Sequence, residues 1–319
     1  MDKLPEELLA HFIDRDDFCH PEWKLIGAMI EANRSDEQKL ELWRESTLTW
    51  LDRIQKKLGP KYVIYETRHF FLVANPVDKP MRDYFSFVER MRQSLHQTLQ
   101  DVVWKGGHGK HVILMFDEQE DYFRYIAPYY SDGEHPASGG VFLGGFGYRH
   151  IAIPYDKRSI LETLAHEFTH NCVCHLPLPK WLNESLAMRF EVMLVNQRRF
   201  ILDHEVCEKH EDYWNESTIQ EFWRGESWAM AGSSFKLSYE LARILLKKIE
   251  EDIRPSRASL LSFIGHAHRS DAGEEAAQKY LKVGLGDLMA DFLGAGDWRP
   301  QPARWKKLEE AAKAGSNPS

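Results

Sequence analysis

Residues 159–186 read SILETLAHEFTHNCVCHLPLPKWLNESL. Leu161, Leu164, Ala165, Phe168 and Cys172 recur at i, i+3, i+4, i+7 and i+11, which is one apolar face of a single helix. Ser159 with Glu162 three residues on has the capping-box pattern and predicts the helix start, and Leu176-Pro177-Leu178-Pro179 ends it. His166 and His170 stand on another face, one turn apart within His-Glu-Phe-Thr-His, so both imidazoles can reach one metal ion from the same side. With 15 His and 29 Glu in 319 residues, an accidental H-E-x-x-H is expected roughly 0.06 times for the motif as helix-borne zinc sites define it.

Two histidines leave a catalytic zinc site short of its third protein ligand. After the proline break a second helical segment begins at Lys180-Trp181-Leu182-Asn183-Glu184, with a carboxylate 14 residues beyond His170 that a helical return brings back to the first helix. Cys174, at i+4 from His170, is the alternative. Three ligands in line on one straight helix span about 12 Å at about 1.5 Å per residue, too far for one tetrahedral ion, so Glu184 is the expected ligand.

HEFTH at 166–170 and WLNESLA at 181–187 together resemble the gluzincin branch of zinc metallopeptidases, in particular the peptidase-MA-like proteins of bacteria. Members of that family typically show Trp-Leu-Asn-Glu-Gly-x-Ala in the second run, and Ser185 stands here in place of the Gly. The resemblance covers roughly residues 60–293 and includes LSYELARILL at 237–246. It implies a zinc-dependent peptidase acting on a peptide or protein, with Zn2+ held by His166, His170 and Glu184. Glu167 would take a proton from the water that zinc activates and pass it to the leaving amine. Tyr239 is the candidate donor to the oxyanion. The rival reading is a catalytically degenerate gluzincin-like module that binds peptides or a protein partner. A metzincin is excluded, because Val173 and Leu176 stand where that class needs Gly and His.

Outward from this stretch, the pattern predicts an α+β fold: a small mixed sheet with helices, the HEFTH helix lying between an α/β lobe (59–176) and a C-terminal helical lobe (177–293). Residues 1–58 read as a helical N-terminal extension, stopped by Gly59-Pro60. Residues 61–74 and 111–116 are β-branched or aromatic runs that predict strands, with a helix at about 81–102 ended by Gly106, Gly107 and Gly109. In GGVFLGGFGYRHIAIPY (139–155) Gly144-Gly145 predicts a hairpin turn into a strand at 150–155. No GK[ST] follows these glycines, so they do not make a phosphate loop. Pro154 lacks a donor, which assigns that strand to a sheet edge where a substrate main chain can pair. From Ser159 onward helices are expected to about 193 and over 236–251, 258–264 and 274–293, around an aromatic lobe core of Tyr213, Trp214, Phe222, Trp223 and Trp228. Residues 294–319, rich in Gly, Pro, Ala and charge, predict a flexible tail.

The 41 basic and 49 acidic residues give a net charge of −8, so the chain has no general attraction to nucleic acid or anionic lipid, and neither is expected as a partner. Seven acids in the first thirty residues and the lack of an 18-residue apolar run argue against a leader or a membrane span. Four cysteines with no C-x-x-C remove disulfide-framework and zinc-ribbon readings. The expected location is cytoplasmic.

Overall fold

The computed structural model describes residues 4–32, 34–105, 107–130, 139–145, 148–195, 200–229 and 232–315. Gly106, residues 146–147 of the glycine-rich stretch and the last four residues of the expected tail lie outside the described residues. The fold is mixed α+β, and the chain forms two compact units, Met1–Cys172 and Val173–Ser319. The division therefore falls at the end of the HEFTH helix, four residues before the expected boundary at 176.

The first unit opens with α1 (Glu6–Leu9), a hairpin of β1 (Phe12–Arg15) and β2 (Phe18–Pro21), α2 (Trp23–Glu31) and α3 (Asp36–Leu58). There follow β3 (Val63–Glu66), β4 (Phe70–Ala74), α4 (Met81–Leu99), β5 (His111–Phe116), α5 (Gln119–Ile126), β6 (Val141–Gly145), β7 (Tyr148–Pro154) and α6 (Ile160–Val173). The sheet order is β3-β4-β5-β7-β6, with β4, β5 and β7 parallel and the two outer pairs antiparallel. Strand 111–116 falls where its apolar run predicts, and α4 begins and ends close to expectation.

Two expectations for the sheet need correction. Strand β7 is internal rather than at the edge, paired with β5 on one side and β6 on the other, and β6 is the edge. Pro154 is tolerated because β6 reaches only to Ala152, so no ladder bond is asked of it on that side. Gly144 and Gly145 lie within β6, not in the turn.

Residues 1–58 are neither all helical nor an appendage. Asp16 and Asp17, at φ 48° and 70°, turn the β1–β2 hairpin, the double positive-φ geometry of a two-residue type I′ loop. Trp43, Trp50, Phe18 and Ile26 share one core with Phe71, Val73, Val112, Leu114 and Phe116 of the sheet. Trp50 Nε1 donates to the Cys19 carbonyl at 3.0 Å, and the Tyr148 ring stacks on Trp23 at 3.9 Å. The alternate strand residues point to the opposite face, where Phe168 of α6 meets Phe70 at 5.4 Å.

The second unit is helical: α7 (Lys180–Val195), α8 (His204–Tyr213), α9 (Thr218–Arg224), α10 (Ser233–Lys248), α11 (Arg257–His266), α12 (Glu274–Ala276), α13 (Leu285–Leu293) and α14 (Pro302–Gly315). Trp181, Trp214, Phe222, Trp223 and Trp228 are buried as its aromatic core. The expected helix over 274–293 is broken at Lys282, which adopts φ 63°. The tail expected from Gly294 is instead tied down as far as Trp305. Trp223 Nε1 donates to the Trp298 carbonyl at 2.8 Å, and Trp305 Nε1 to Gln220 Oε1 at 2.9 Å. Indole donors thus anchor a segment whose composition reads as loop. Among the described residues no helix is long and apolar enough to cross a membrane.

Burial sets an acid limit on the first unit. His150 accepts or donates at Nε2 to the Tyr125 hydroxyl at 2.6 Å, and His20 stacks on the same Tyr125 ring at 5.0 Å. Burial pushes the pKa of His150 down to about 3, and that of His20, with help from Arg15, down to about 4. Below the unfolded value of about 6.5 the unfolded chain takes up protons that the folded one refuses, so stability falls from pH 6.5 toward pH 4, by up to about 1.4 kcal/mol per pH unit for each histidine. Urea midpoints measured at pH 7.5, 6 and 5 should decline in that order. A replacement of both histidines by Asn should flatten the decline.

Candidate metal centre

Helix α6 presents the HEFTH residues because its other side is held down. Ile160, Leu164, Ala165, Phe168 and Cys172 are buried, and Phe168 also meets the His111 ring edge-on at 4.9 Å. The last turn is fastened by Asn171 Nδ2 to His111 Nδ1 at 3.0 Å and by Trp104 N–H to the Cys172 carbonyl at 2.7 Å. The helix start differs from expectation in one detail, since the Ser159 hydroxyl donates to Asp156 Oδ2 at 2.8 Å. Pinned in this way, α6 brings the His166 and His170 rings to 4.7 Å between centroids at 78°.

Glu184 lies in the second turn of α7 and is only 2% exposed, an uncommon place for a carboxylate unless it is paired. Lys180 Nζ sits 2.7 Å from Glu184 Oε1, one helical turn back, and favours the ionised, ligating form. Ser185, the departure from the family run, is buried and donates its hydroxyl to the Leu182 carbonyl at 3.0 Å, so the helix absorbs it. One ligand atom each from His166, His170 and Glu184 lie within 4.8 Å of one another. Two imidazoles and a carboxylate are a recurring donor set for catalytic zinc, whose ligands at about 2.0–2.2 Å stand about 3.3–3.6 Å apart. The group is therefore of a size that side-chain rotation closes on one ion, and these residues fit a metal.

Cys174 follows the last residue of α6 and is exposed, so the i+4 relation to His170 that a longer helix would give it is not made.

Glu167 is buried, and its Oε2 accepts the backbone N–H of Phe142 at 2.6 Å. Phe142 belongs to the edge strand β6, so the carboxylate is tied to the margin of the sheet by a main-chain donor. The sequence carries no sign of this bond, because a backbone N–H is common to every residue but proline. Tyr130 also lies near: burial, then the Glu167 charge, holds its phenol above the ordinary tyrosine range.

Tyr239 is half-buried on α10, the helix that packs along α7. Its ring lies between Trp228 at 6.1 Å and Phe235 at 5.0 Å. No protein-family model matches the chain, and no curated protein matches it in sequence.

The donor set makes a direct expectation. Protein equilibrated with zinc should hold about one ion per chain, read by elemental analysis after gel filtration. Glu184→Ala should lose that ion at chelator concentrations the wild type withstands, and Cys174→Ser should keep it. The reverse pattern would replace Glu184 by Cys174 in the donor set.

Proposed function

We propose that this protein is a zinc-dependent peptidase of gluzincin type, hydrolysing peptide bonds in a peptide or protein substrate. The observation that carries the reading is the grouping of the His166, His170 and Glu184 ligand atoms within 4.8 Å, with Glu167 next to His166 on the same helix. Zinc bound there would supply a Lewis acid for the scissile carbonyl and lower the pKa of water to about 7.

The chain's own groups do the rest. Glu167 is the base: it takes a proton from the attacking water and returns it to the leaving amine. Its hydrogen bond from Phe142 fixes one oxygen and so orients the carboxylate. Edge strand β6 is the surface on which a substrate main chain would add as a further strand, taking backbone hydrogen bonds without reading side chains. Tyr239 is the proposed oxyanion donor, worth about 10²–10³ in rate. Tyr130, whose phenol feels the Glu167 charge, is the second candidate for that role.

Hydrolysis of an unstructured peptide separates the peptidase from a degenerate binding module. Glu167→Gln keeps size and hydrogen bonding but cannot take a proton, so its zinc content should match wild type while turnover collapses. Full turnover in that variant would remove Glu167 from the chemistry, and zinc-loaded wild type that cleaves nothing would favour the binding module.

The donor is assigned by a paired comparison of Tyr239→Phe and Tyr130→Phe. The true donor loses about 10²–10³ in kcat with unchanged thermal stability, and the other tyrosine leaves kcat near wild type.

A further inference from the structure

We propose that the first unit carries a second site, sharing no residue with HEFTH or Glu184, that binds a small phosphate-bearing molecule in the cleft bordered by α4 and the starts of β5 and β7. The cleft holds about 440 Å³, within the roughly 300–1,000 Å³ of small-molecule sites. Arg92, Lys105, Lys110 and Arg149 line it, and no Asp or Glu does. That is a marked segregation in a chain with 49 acids against 41 bases.

The cations differ in how far they are already neutralised. Lys105 meets Asp101 at 2.5 Å and Lys110 meets Glu66 at 2.7 Å. Arg149 lies on the Trp104 ring, which sets the plane of its guanidinium. Arg92 has no ion-pair partner among the described residues, and its Nε is buried without a hydrogen-bond acceptor. A buried guanidinium donor with no acceptor is costly, and an anion in the cleft would offset that cost. If the cations were only a solvated face, this nitrogen would be in water.

The neighbouring histidines register the same field. Burial, then Arg92 and other nearby cations, pushes the pKa of His111 down to about 3, and that of His96 is lowered for the same reasons. His111 Nδ1 accepts from Asn171, so the proton of the neutral ring sits on Nε2 as a further donor. The loop between α4 and β5 adds backbone: Gly107 and Gly109 have φ +127° and +77°, and a Cβ at either would meet nothing within 4 Å. The glycines are thus demanded by backbone conformation and not by packing, and they leave the main chain open to close approach.

Guanidinium forks match the oxygens of a phosphate better than a single carboxylate, because phosphate offers three acceptors and two charges to groups converging from several sides. The cleft is much larger than the anion, and Trp104 and Tyr148 supply apolar wall for an attached organic group. The chemistry is that of a phosphomonoester or of free phosphate, and the two are separable by experiment.

The test is calorimetric titration of the full-length protein, stripped of metal so that the outcome is independent of zinc, with inorganic phosphate and with phenyl phosphate at constant ionic strength. Both should bind saturably at one site. Tighter phenyl phosphate assigns the site to an ester, and equal affinities assign it to the free anion. Arg92→Gln should weaken binding about 10- to 100-fold, while Arg90→Gln, an exposed cation of the same helix outside the cleft, should leave it unchanged. Should Arg92→Gln fail to fold, Arg92→Lys and Arg149→Gln replace it, each expected to weaken binding. Absence of saturable heat up to about 10 mM, equal losses in the Arg90 and Arg92 variants, or equal competition by chloride would overturn the proposal.

Discussion

The apolar stripe of α6 has to stay on the sheet for anything else about the HEFTH residues to hold. Leu164 and Phe168 are each worth about 1.5–3 kcal/mol when fully buried, and the smaller Ala165 and Cys172 add less. Burial alone leaves a helix free to rotate or slide by a fraction of a turn. Asn171 to His111 and Trp104 to the Cys172 carbonyl remove that freedom at the end of the helix. The consequence is angular: with one face fixed, 3.6 residues per turn put His166 and His170 together on another face.

The carboxylates next to this helix show how charge is kept in places that disfavour it. An ionised group taken from water loses several kcal/mol of hydration unless hydrogen bonds and opposite charge replace it. Glu184 has Lys180 at 2.7 Å. Glu167 has the Phe142 N–H, a charge-assisted bond of the kind worth about 1.5–3 kcal/mol. Each carboxylate thus has a cation or a backbone donor in place of part of the water it loses.

The N-terminal residues matter to the same region through the sheet. Tyr148, the first residue of β7, stacks on Trp23 and donates to Thr47 Oγ1 at 3.1 Å. Strand β6 hangs on β7 through five paired positions from Val141 to Gly145. The edge that presents Phe142 to Glu167 is therefore set by contacts that begin in α2 and α3. Residues 4–58 are part of the machinery that holds the site, and the tryptophans among them are structural, stacked or buried in one core.

Helical periodicity, the HEFTH and WLNE runs, and the apolar strand at 111–116 were all legible in the sequence, because each depends on residues within a turn or two of one another and on side-chain identity. Glu184 could be named as the companion of His166 and His170 for the same reason, a short proline break between two helical patterns. Other features depended on pairing across long separations. Which strand forms the sheet edge was decided by β6 pairing with β7, and Pro154 misled because its missing donor happens to lie beyond Val141, the first residue of β6. The β1–β2 hairpin was hidden in an acid-rich stretch, since two aspartates in the positive-φ region do the work that glycine usually signals. The C-terminal segment looked like a tail because two of its anchoring bonds run from indoles to a main-chain and an amide oxygen far away in the sequence. The bond from Phe142 to Glu167 belongs to the same class: backbone donors carry no residue identity, so only the tertiary register determines which of them meets a buried carboxylate.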